Sequence, residues 1–387
     1  MKDCIVLVGK KGLYDNAALA LVKAFEGSDK DVVFLDESEI CSGSGIKGYI
    51  LASRYFPALS GLFLRKFLKK YKIKQKKRVR LPRVVPATEK CENVLYRFYP
   101  RAVVCFTPRS LSLFVAAKKR TGYAGAVVSG VFDFLPPAGM RVAGADFSLA
   151  PTKECAARLK GECLVTGMPV AAAKSEKEQA RRQLGIKGEK PVMLVTGGRY
   201  CSDRAMRAAR EFSAFSDVMQ IVLSGGEKGA NFVEKQCPQV IVAAEEDMDV
   251  LYAAADVAVI APTAFIAAEC LTRRLPTVML PPVNKGQKLT FKALKEVCVP
   301  AKDSSSALKA AMELLMDKNI LERTQKGAAL LGEKGEERLK AAVEEIVSRL
   351  KGKEVFAEQE EQPAEKEGGS EGGKEDESAG GEDARGE

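Results

Sequence analysis

Two side chains stand out by type and spacing, a carboxylate at Glu269 and an amide at Gln287. Both lie in Val257–Gln287, where an apolar run, Val257–Ile260, stops at Pro262. A helix start made of small residues follows and carries Glu269; a second apolar run, Thr277–Leu280, leads into a polar loop, Pro281–Gln287. Strand, turn, helix and strand make one βαβ unit, and open sheets of such units take ligands at the carboxyl ends of their strands. A carboxylate one turn into the helix and a polar loop after the next strand would face one crevice. That pairing suits a ribose and a second polar group such as a sugar.

The chain has no histidine, so the commonest general base and metal ligand are missing. Proton transfer falls to Asp, Glu, Lys, Tyr or Cys. The carboxylates nearest strand ends in the first half are Asp15 and Asp133. No spacing of ligand-type residues suggests a metal site. Gly197-Gly198-Arg199 follows an apolar strand pattern and precedes a helix, a turn that lets backbone N–H groups approach a phosphate. Gly9 and Gly12 follow the first strand without the spacing of a dinucleotide fingerprint.

These residues need a scaffold, and the apolar runs predict one. Strands at Asp3–Val8, Val32–Leu35, Ala102–Phe106 and Ala126–Val131 alternate with helical patterns, and the scheme repeats from Val192. Alternation of this kind implies mostly parallel sheets. The boundaries read as a first domain over 1–170, a polar linker over 171–190 and a second domain over 191–335. A terminal helix over 336–352 and an acidic tail over 353–387 complete the chain. The tail is Gly-, Glu- and Ser-rich, with thirteen acidic and four basic residues, and is expected to be disordered. Its net −9 within an overall +10 leaves +19 on the other 352 residues. The N-terminal apolar run is too short for a signal peptide, and no apolar stretch reaches the roughly 18 residues of a membrane span. Ten scattered cysteines without a CxxC pair read as buried, reduced thiols.

The positive charge concentrates in Arg54–Arg83, which holds twelve Lys or Arg and no acid. Leu62, Phe63 and Phe67 recur at helical spacing beside Arg65, Lys66, Lys69, Lys70 and Lys72. An apolar helix face next to dense positive charge is the pattern of an interfacial helix on anionic lipid. No nucleic-acid-binding module accompanies these charges.

Taken together, the pieces resemble the GT-B glycosyltransferases that include diacylglycerol sugar transferases, such as monogalactosyldiacylglycerol synthase, and the lipid-intermediate N-acetylglucosaminyltransferase of peptidoglycan synthesis. The resemblance covers roughly residues 3 to 335 and rests on Tyr99–Thr107, Val128–Phe134, Ala150–Lys153 with Thr166–Val170, Val192–Gly198, and Asp256–Glu269 with Pro281–Gln287. It implies two Rossmann-like domains with parallel sheets facing across a cleft. By matching position, Glu269 would contact the ribose of a uridine nucleotide and Gln287, beside Gly286, the donor sugar. Gly197, Gly198 and Arg199 would lie at the diphosphate, and Asp133 matches the family's acceptor side better than Asp15. The family's Pro-Gly-Gly is Pro262-Thr263-Ala264 here, and its two acceptor-side histidines are replaced.

The expected activity is inverting transfer of a sugar from a UDP-sugar, used as co-substrate without a further cofactor, to a membrane lipid of diacylglycerol or polyprenyl type. The expected place is the cytoplasmic face of a membrane, held peripherally. A GT-B protein that binds nucleotide-sugar or membrane without turnover, and a nucleotide-sugar hydrolase or epimerase, are the alternatives.

Overall fold

The computed structural model describes residues 3–10, 15–40, 85–140, 144–170, 173–198, 203–224, 233–243, 248–317, 319–331, 334–350 and 355. The basic segment Arg54–Arg83 lies outside them, as does the acidic tail but for Val355.

Six strands form the first sheet: β1 (Asp3–Gly9), β2 (Lys30–Asp36), β3 (Ala102–Cys105), β4 (Ala126–Gly130), β5 (Phe147–Ala150) and β6 (Glu162–Val165). They pair in parallel in the order β2-β1-β3-β4-β5-β6. The second sheet holds β7 (Val192–Thr196), β8 (Gln220–Ser224), β9 (Ile241–Ala243), β10 (Val257–Ile260), β11 (Thr277–Met279) and β12 (Val299–Pro300). Its order is β12-β11-β10-β7-β8-β9, again parallel. The helices are α1 (Asp15–Ala24), α2 (Glu37–Ile40), α3 (Val85–Phe98), α4 (Pro108–Thr121), α5 (Lys153–Ala156), α6 (Lys177–Gln183) and α7 (Asp203–Phe212). They continue as α8 (Met248–Ala254), α9 (Ala264–Thr272), α10 (Lys285–Leu294), α11 (Ser304–Met316), α12 (Ile320–Leu331) and α13 (Gly335–Ser348).

Parallel sheets are covered on both faces, so their strands read as near-continuous apolar runs. In β1 the two faces serve two cores. Ile5 and Leu7 pack with Leu21 and Val104, whereas Val6 and Val8 pack with Cys91 and Leu95. Those last two come from α3, a helix absent from the sequence reading although Cys91, Leu95 and Phe98 follow its period. Within the stretch read as a linker, α6 docks on the second half. There Asp256 accepts hydrogen bonds from Val192 N (2.6 Å), Lys177 Nζ (2.5 Å) and Arg181 Nη2 (2.5 Å). Asp256 thus ties together the amino ends of strands, away from the crevice.

The last helix, α13, returns to the first half. Arg338 Nη2 donates to Val165 O (2.9 Å), Lys340 lies over the Phe25 ring, and Arg349 lies over Phe147 and pairs with Glu162. Beyond it, Val355 O accepts from Ala124 N at 2.7 Å. One buried cluster runs from Ile5 and Leu7 through Met168, Leu331 and Ile346 to Ala258 and Ile260, so both sheets share a core. The backbones of Gly167 and Met168 lie against those of Leu331 and Gly335. A Cβ on Gly335 would stand 2.0 Å from Met168 O, and one on Gly167, at φ +77°, would meet Leu331 O at 3.0 Å. Replacing Gly335 with Ala forces these backbones apart. The expected cost is about 2–4 kcal/mol, read as a lower denaturation midpoint. Gly27→Ala, whose surroundings are open, serves as the milder control.

Candidate active site

In an open parallel sheet the ligand crevice lies where strand order reverses. In the second sheet that point falls between β7 and β10, which are hydrogen-bonded neighbours although β8 and β9 intervene in sequence. The residues that follow these two strands are Gly197-Gly198 and Ala261-Pro262-Thr263. The adjacency of the two strands brings them side by side.

Thr263 is the N-cap residue of α9, with extended φ −94° and ψ 146°, and its side chain makes no capping hydrogen bond. The helix ladder opens with Ala267 N donating to Thr263 O at 3.0 Å. The N–H groups of Ala264, Phe265 and Ile266 precede that bond, and the helix dipole adds positive potential at the same end. Backbone N–H groups arranged in this way are of the kind that bind anions. Neither Thr263 nor Ala264 needs a positive φ, and Ala264 is buried in the shared core. Its methyl group therefore packs inward, and the loss of two glycines from the family pattern leaves this helix start intact. Pro262 is buried beside them.

Gly198 closes the other side. Its φ is +74°, and an added Cβ would stand 2.8 Å from Ile266 Cδ1 in the first turn of α9. Its N–H is already donated to Thr196 Oγ1 at 3.1 Å, so it shapes the turn and leaves ligand contact to Gly197. Arg199 lies outside the described residues. Arg204, which the sequence reading passed over, starts α7 after this turn and donates from Nη1 to Pro281 O at 3.0 Å. It spans from the glycine turn to the segment after β11.

Glu269 lies in α9, about one and a half turns in. Its Oε2 accepts from Tyr252 Oη at 2.7 Å, and burial raises its carboxyl above the ordinary range, with Tyr252 and Arg273 pulling the other way. Gly286 and Gln287 do not sit in a loop. Asn284 caps a helix, α10, by accepting Gln287 N at 2.9 Å, and both residues fall in its first turn. A polar cap after Pro281-Pro282 reads as a loop in sequence because the apolar face of α10 begins only later. Gln287 is buried, and its Oε1 accepts Val283 N at 2.8 Å. The carbonyl thus holds the turn, leaving the side-chain NH2 as the group able to donate to a ligand.

From the first half, Asp133 follows β4 between buried Phe132 and Phe134. The Phe132 ring meets Phe106 at 5.4 Å and, across the two halves, Phe265 at 6.3 Å. Asp133 is thereby next to the residue that contacts the first turn of α9. Burial alone pushes its carboxyl up to about 6, the range in which a carboxylate serves as a base near neutral pH. Asp15 opens α1, and its side chain lies outside the described residues. So do Leu62, Phe63, Arg65, Lys66, Phe67, Lys69, Lys70 and Lys72. Among the described residues no group of three metal-ligating side chains comes together, and no helix is long and apolar enough to cross a membrane. Among the described residues no two cysteines form a disulfide.

A second ionic group escaped the sequence reading. At the corresponding reversal of the first sheet, between β1 and β3, Glu37 is 2 % exposed and Arg109 6 % exposed. Thr107 hydrogen-bonds the Glu37 carboxyl, which also faces Arg109 and Lys10; burial outweighs them and raises it. Lys10 Nζ and Arg109 Nε are buried with no hydrogen-bond partner among the described residues. The three residues follow β1, β2 and β3, which are adjacent in space but far apart in sequence, so spacing carried no signal.

Proteins of known structure share this fold. Acinetobacter baumannii MurG superposes with a TM-score of 0.57 at 13 % identity, over 89 % of this chain and 99 % of that one. S. aureus MnaA, determined with UDP, gives 0.57 at 14 % identity, over 90 % and 97 %. The spinosyn rhamnosyltransferase SpnG, complexed with thymidine diphosphate, gives 0.59 at 9 % identity, over 88 % and 99 %. The fold is GT-B. Residues 198–320 match the family described as CGA synthase-related protein. The UDP-N-acetylglucosamine–N-acetylmuramyl-(pentapeptide) pyrophosphoryl-undecaprenol N-acetylglucosamine transferase of a Nocardioides species is 31 % identical over 133 residues, 32 % of this chain. The chain thus spans about a third of the length of this curated relative, 36 % of it. The resemblance to a divergent GT-B protein of the MurG type, read from Val192–Gly198 and Asp256–Gln287, holds at the level of architecture.

Because Gly198 combines a positive φ with contact to Ile266, Gly198→Ala should distort the start of α9. We expect a loss of about 1–3 kcal/mol in stability, together with weaker nucleoside-diphosphate binding by calorimetry. Gly161→Ala, at φ +78° with open surroundings, should lose stability without touching binding.

Proposed function

We propose that the protein transfers a sugar from a UDP-sugar to a hydroxyl of a membrane lipid, with inversion at the anomeric carbon. What supports this reading is that a glycine turn and an uncapped helix start follow the neighbouring strands β7 and β10, that Glu269 lies on that same helix, and that Gln287 follows the next strand, β11. The diphosphate sits on the N–H groups of α9 and Gly197. Glu269 accepts from the ribose hydroxyls, and the Gln287 NH2 donates to the sugar. Asp133 takes the proton of the acceptor hydroxyl as its oxygen attacks the anomeric carbon from the face opposite the phosphate. The bond from that carbon to the phosphate oxygen breaks, and UDP leaves with the electron pair. Charge growing on the leaving phosphate is met by backbone dipoles fixed before the reaction starts, which costs no reorganisation. Exposed Lys285, in the first turn of α10, and Arg204 are the cations placed to add to it.

The relatives support a nucleotide-sugar donor: the Nocardioides protein is named for a UDP-sugar and a polyprenyl-linked acceptor, and MnaA was determined with UDP. A second reading, epimerisation or hydrolysis of a nucleotide-sugar, draws on the similarity of a UDP-N-acetylglucosamine 2-epimerase, at TM-score 0.54 and 15 % identity. Purified protein with UDP-sugars and anionic liposomes containing diacylglycerol or polyprenyl phosphate separates the two. Glycolipid formation supports transfer; sugar release or isomerisation without lipid product supports the second reading. No saturable UDP binding would remove both.

Asp133 adds a pH test. A base with a raised carboxyl loses activity as pH falls through about 6, so kcat/KM should drop there with one proton. Asp133→Asn should lower kcat by 10²–10⁴-fold, about the usual worth of general base catalysis. The same shift works against folding. A carboxyl raised from 3.8 to about 6 binds more protons folded than unfolded, so its cost is full above pH 6 and disappears below about 4. Asp133→Asn should therefore raise the melting temperature at pH 7–8, by an amount on the order of 2 kcal/mol in stability.

The membrane part rests on Arg54–Arg83 and the +19 of the body. Replacing Lys66, Lys69, Lys70 and Lys72 with Gln should abolish flotation with anionic liposomes, at roughly 1 kcal/mol per charge. Flotation unchanged by all four removes the claim.

A further inference from the structure

Tyr252 belongs to α8 and is 3 % exposed. Its ring lies under the guanidinium of Arg273, with Cζ 5.1 Å from the ring centroid. Arg273, at the end of α9, is itself held: Nη1 donates to Glu269 O at 3.2 Å, and Nη2 to Asp249 Oδ1 at 2.7 Å. The other Asp249 oxygen accepts the N–H groups of Lys174 (3.1 Å) and Ser175 (2.8 Å), in the segment that joins the two halves. Each member of this chain fixes the next, and the chain ends at the Tyr252 hydroxyl on Glu269 Oε2, 2.7 Å away.

A glutamate on a helix has three side-chain torsions to settle, and freezing them on ligand arrival costs affinity. A donor that already holds one carboxylate oxygen fixes the plane of the group before a ligand arrives. From this geometry we infer that Tyr252, backed by Arg273 and Asp249, is a positioning residue that orients the Glu269 carboxylate for the ribose hydroxyls of the donor nucleotide. The inference rests on the donor-site reading above and adds a residue that touches no substrate. It also gives the site a direct connection to the segment between the halves.

The role has a signature that simple packing lacks. Glu269 must be ionised to accept from a ribose, and burial raises its carboxyl while the Tyr252 hydroxyl and the Arg273 charge lower it. Removing the hydroxyl leaves the burial and removes one of the two groups opposing it. Nucleotide affinity, which falls as pH drops through the raised value, should then begin to fall at a higher pH.

The test is UDP titration calorimetry from pH 5 to 8.5 on the full chain and on Tyr252→Phe, which keeps the ring and its stacking on Arg273. We expect Kd to rise about tenfold at pH 7.5, equal to about 1.4 kcal/mol and in the range of one hydrogen bond to a charged group. We also expect the pH dependence to move upward. In a Glu269→Gln background the pH dependence disappears, and Tyr252→Phe adds little, because the two residues act through one contact. Should Tyr252→Phe fail to fold, Arg273→Lys keeps the charge, loses the planar stack, and should weaken UDP binding several-fold. Wild-type affinity and pH profile in the variant, or full additivity with Glu269→Gln, overturns the positioning role alone. No UDP binding by the wild-type chain overturns the donor reading and this inference with it.

Discussion

A helix start whose N–H groups have no side-chain cap needs water or a ligand there, and much of the second half is arranged around one such start. The β7–β10 adjacency places the first turn of α9 beside the glycine turn. Gly198 can come that close to Ile266 only because it lacks a Cβ. The capped turn of α10, pinned by Gln287, closes the next side. None of these contacts contributes much to stability alone. Together they keep backbone donors aimed at one volume, which is what a charged leaving group requires.

The absence of histidine changes how proton chemistry can be arranged. A carboxylate in water titrates too low to be a strong base near neutral pH, and burial is one way to raise it. Asp133 is raised by burial with no opposing contact among the described residues, whereas Glu269 is raised by burial but restrained by Tyr252 and Arg273. Under the proposed function the difference in surroundings suits the two to different roles, an unrestrained carboxyl to exchanging its proton and a hydrogen-bonded one to staying fixed as an acceptor.

The strands were legible because burial on both faces demands continuous apolar runs, as in Ile5–Val8 and Val257–Ile260. The meeting of the segments after β7 and β10 was legible too, since βαβ order sets where Gly197, Thr263 and the helix carrying Glu269 lie along the sheet. What stayed hidden depends on distance in sequence. Tyr252 reads as one more apolar residue of a short helix until its hydroxyl is seen on Glu269, seventeen positions away. Helix α10 was hidden by its polar start, and α3 by the basic stretch before it. Lys10, Glu37 and Arg109 meet only because β2, β1 and β3 lie side by side.

That last group explains why the two halves are not interchangeable. Each sheet has a strand-order reversal with a helix beginning beside it, α4 in the first half and α9 in the second. At α4 the positions are taken. Thr107 caps Ser110 N at 3.1 Å, Pro108 has no N–H to offer, and the buried Glu37 carboxyl sits on Thr107 facing Arg109 and Lys10. An anion arriving there would meet a carboxylate already in place and two cations already facing it, and it would have to displace a desolvated charge. At α9 nothing of the kind intervenes among the described residues, since Thr263 withholds its side chain and Ala264 turns its methyl inward. Among the described residues the same topological feature is filled from within in one half and not in the other, which is the asymmetry a diphosphate site in the second half would require.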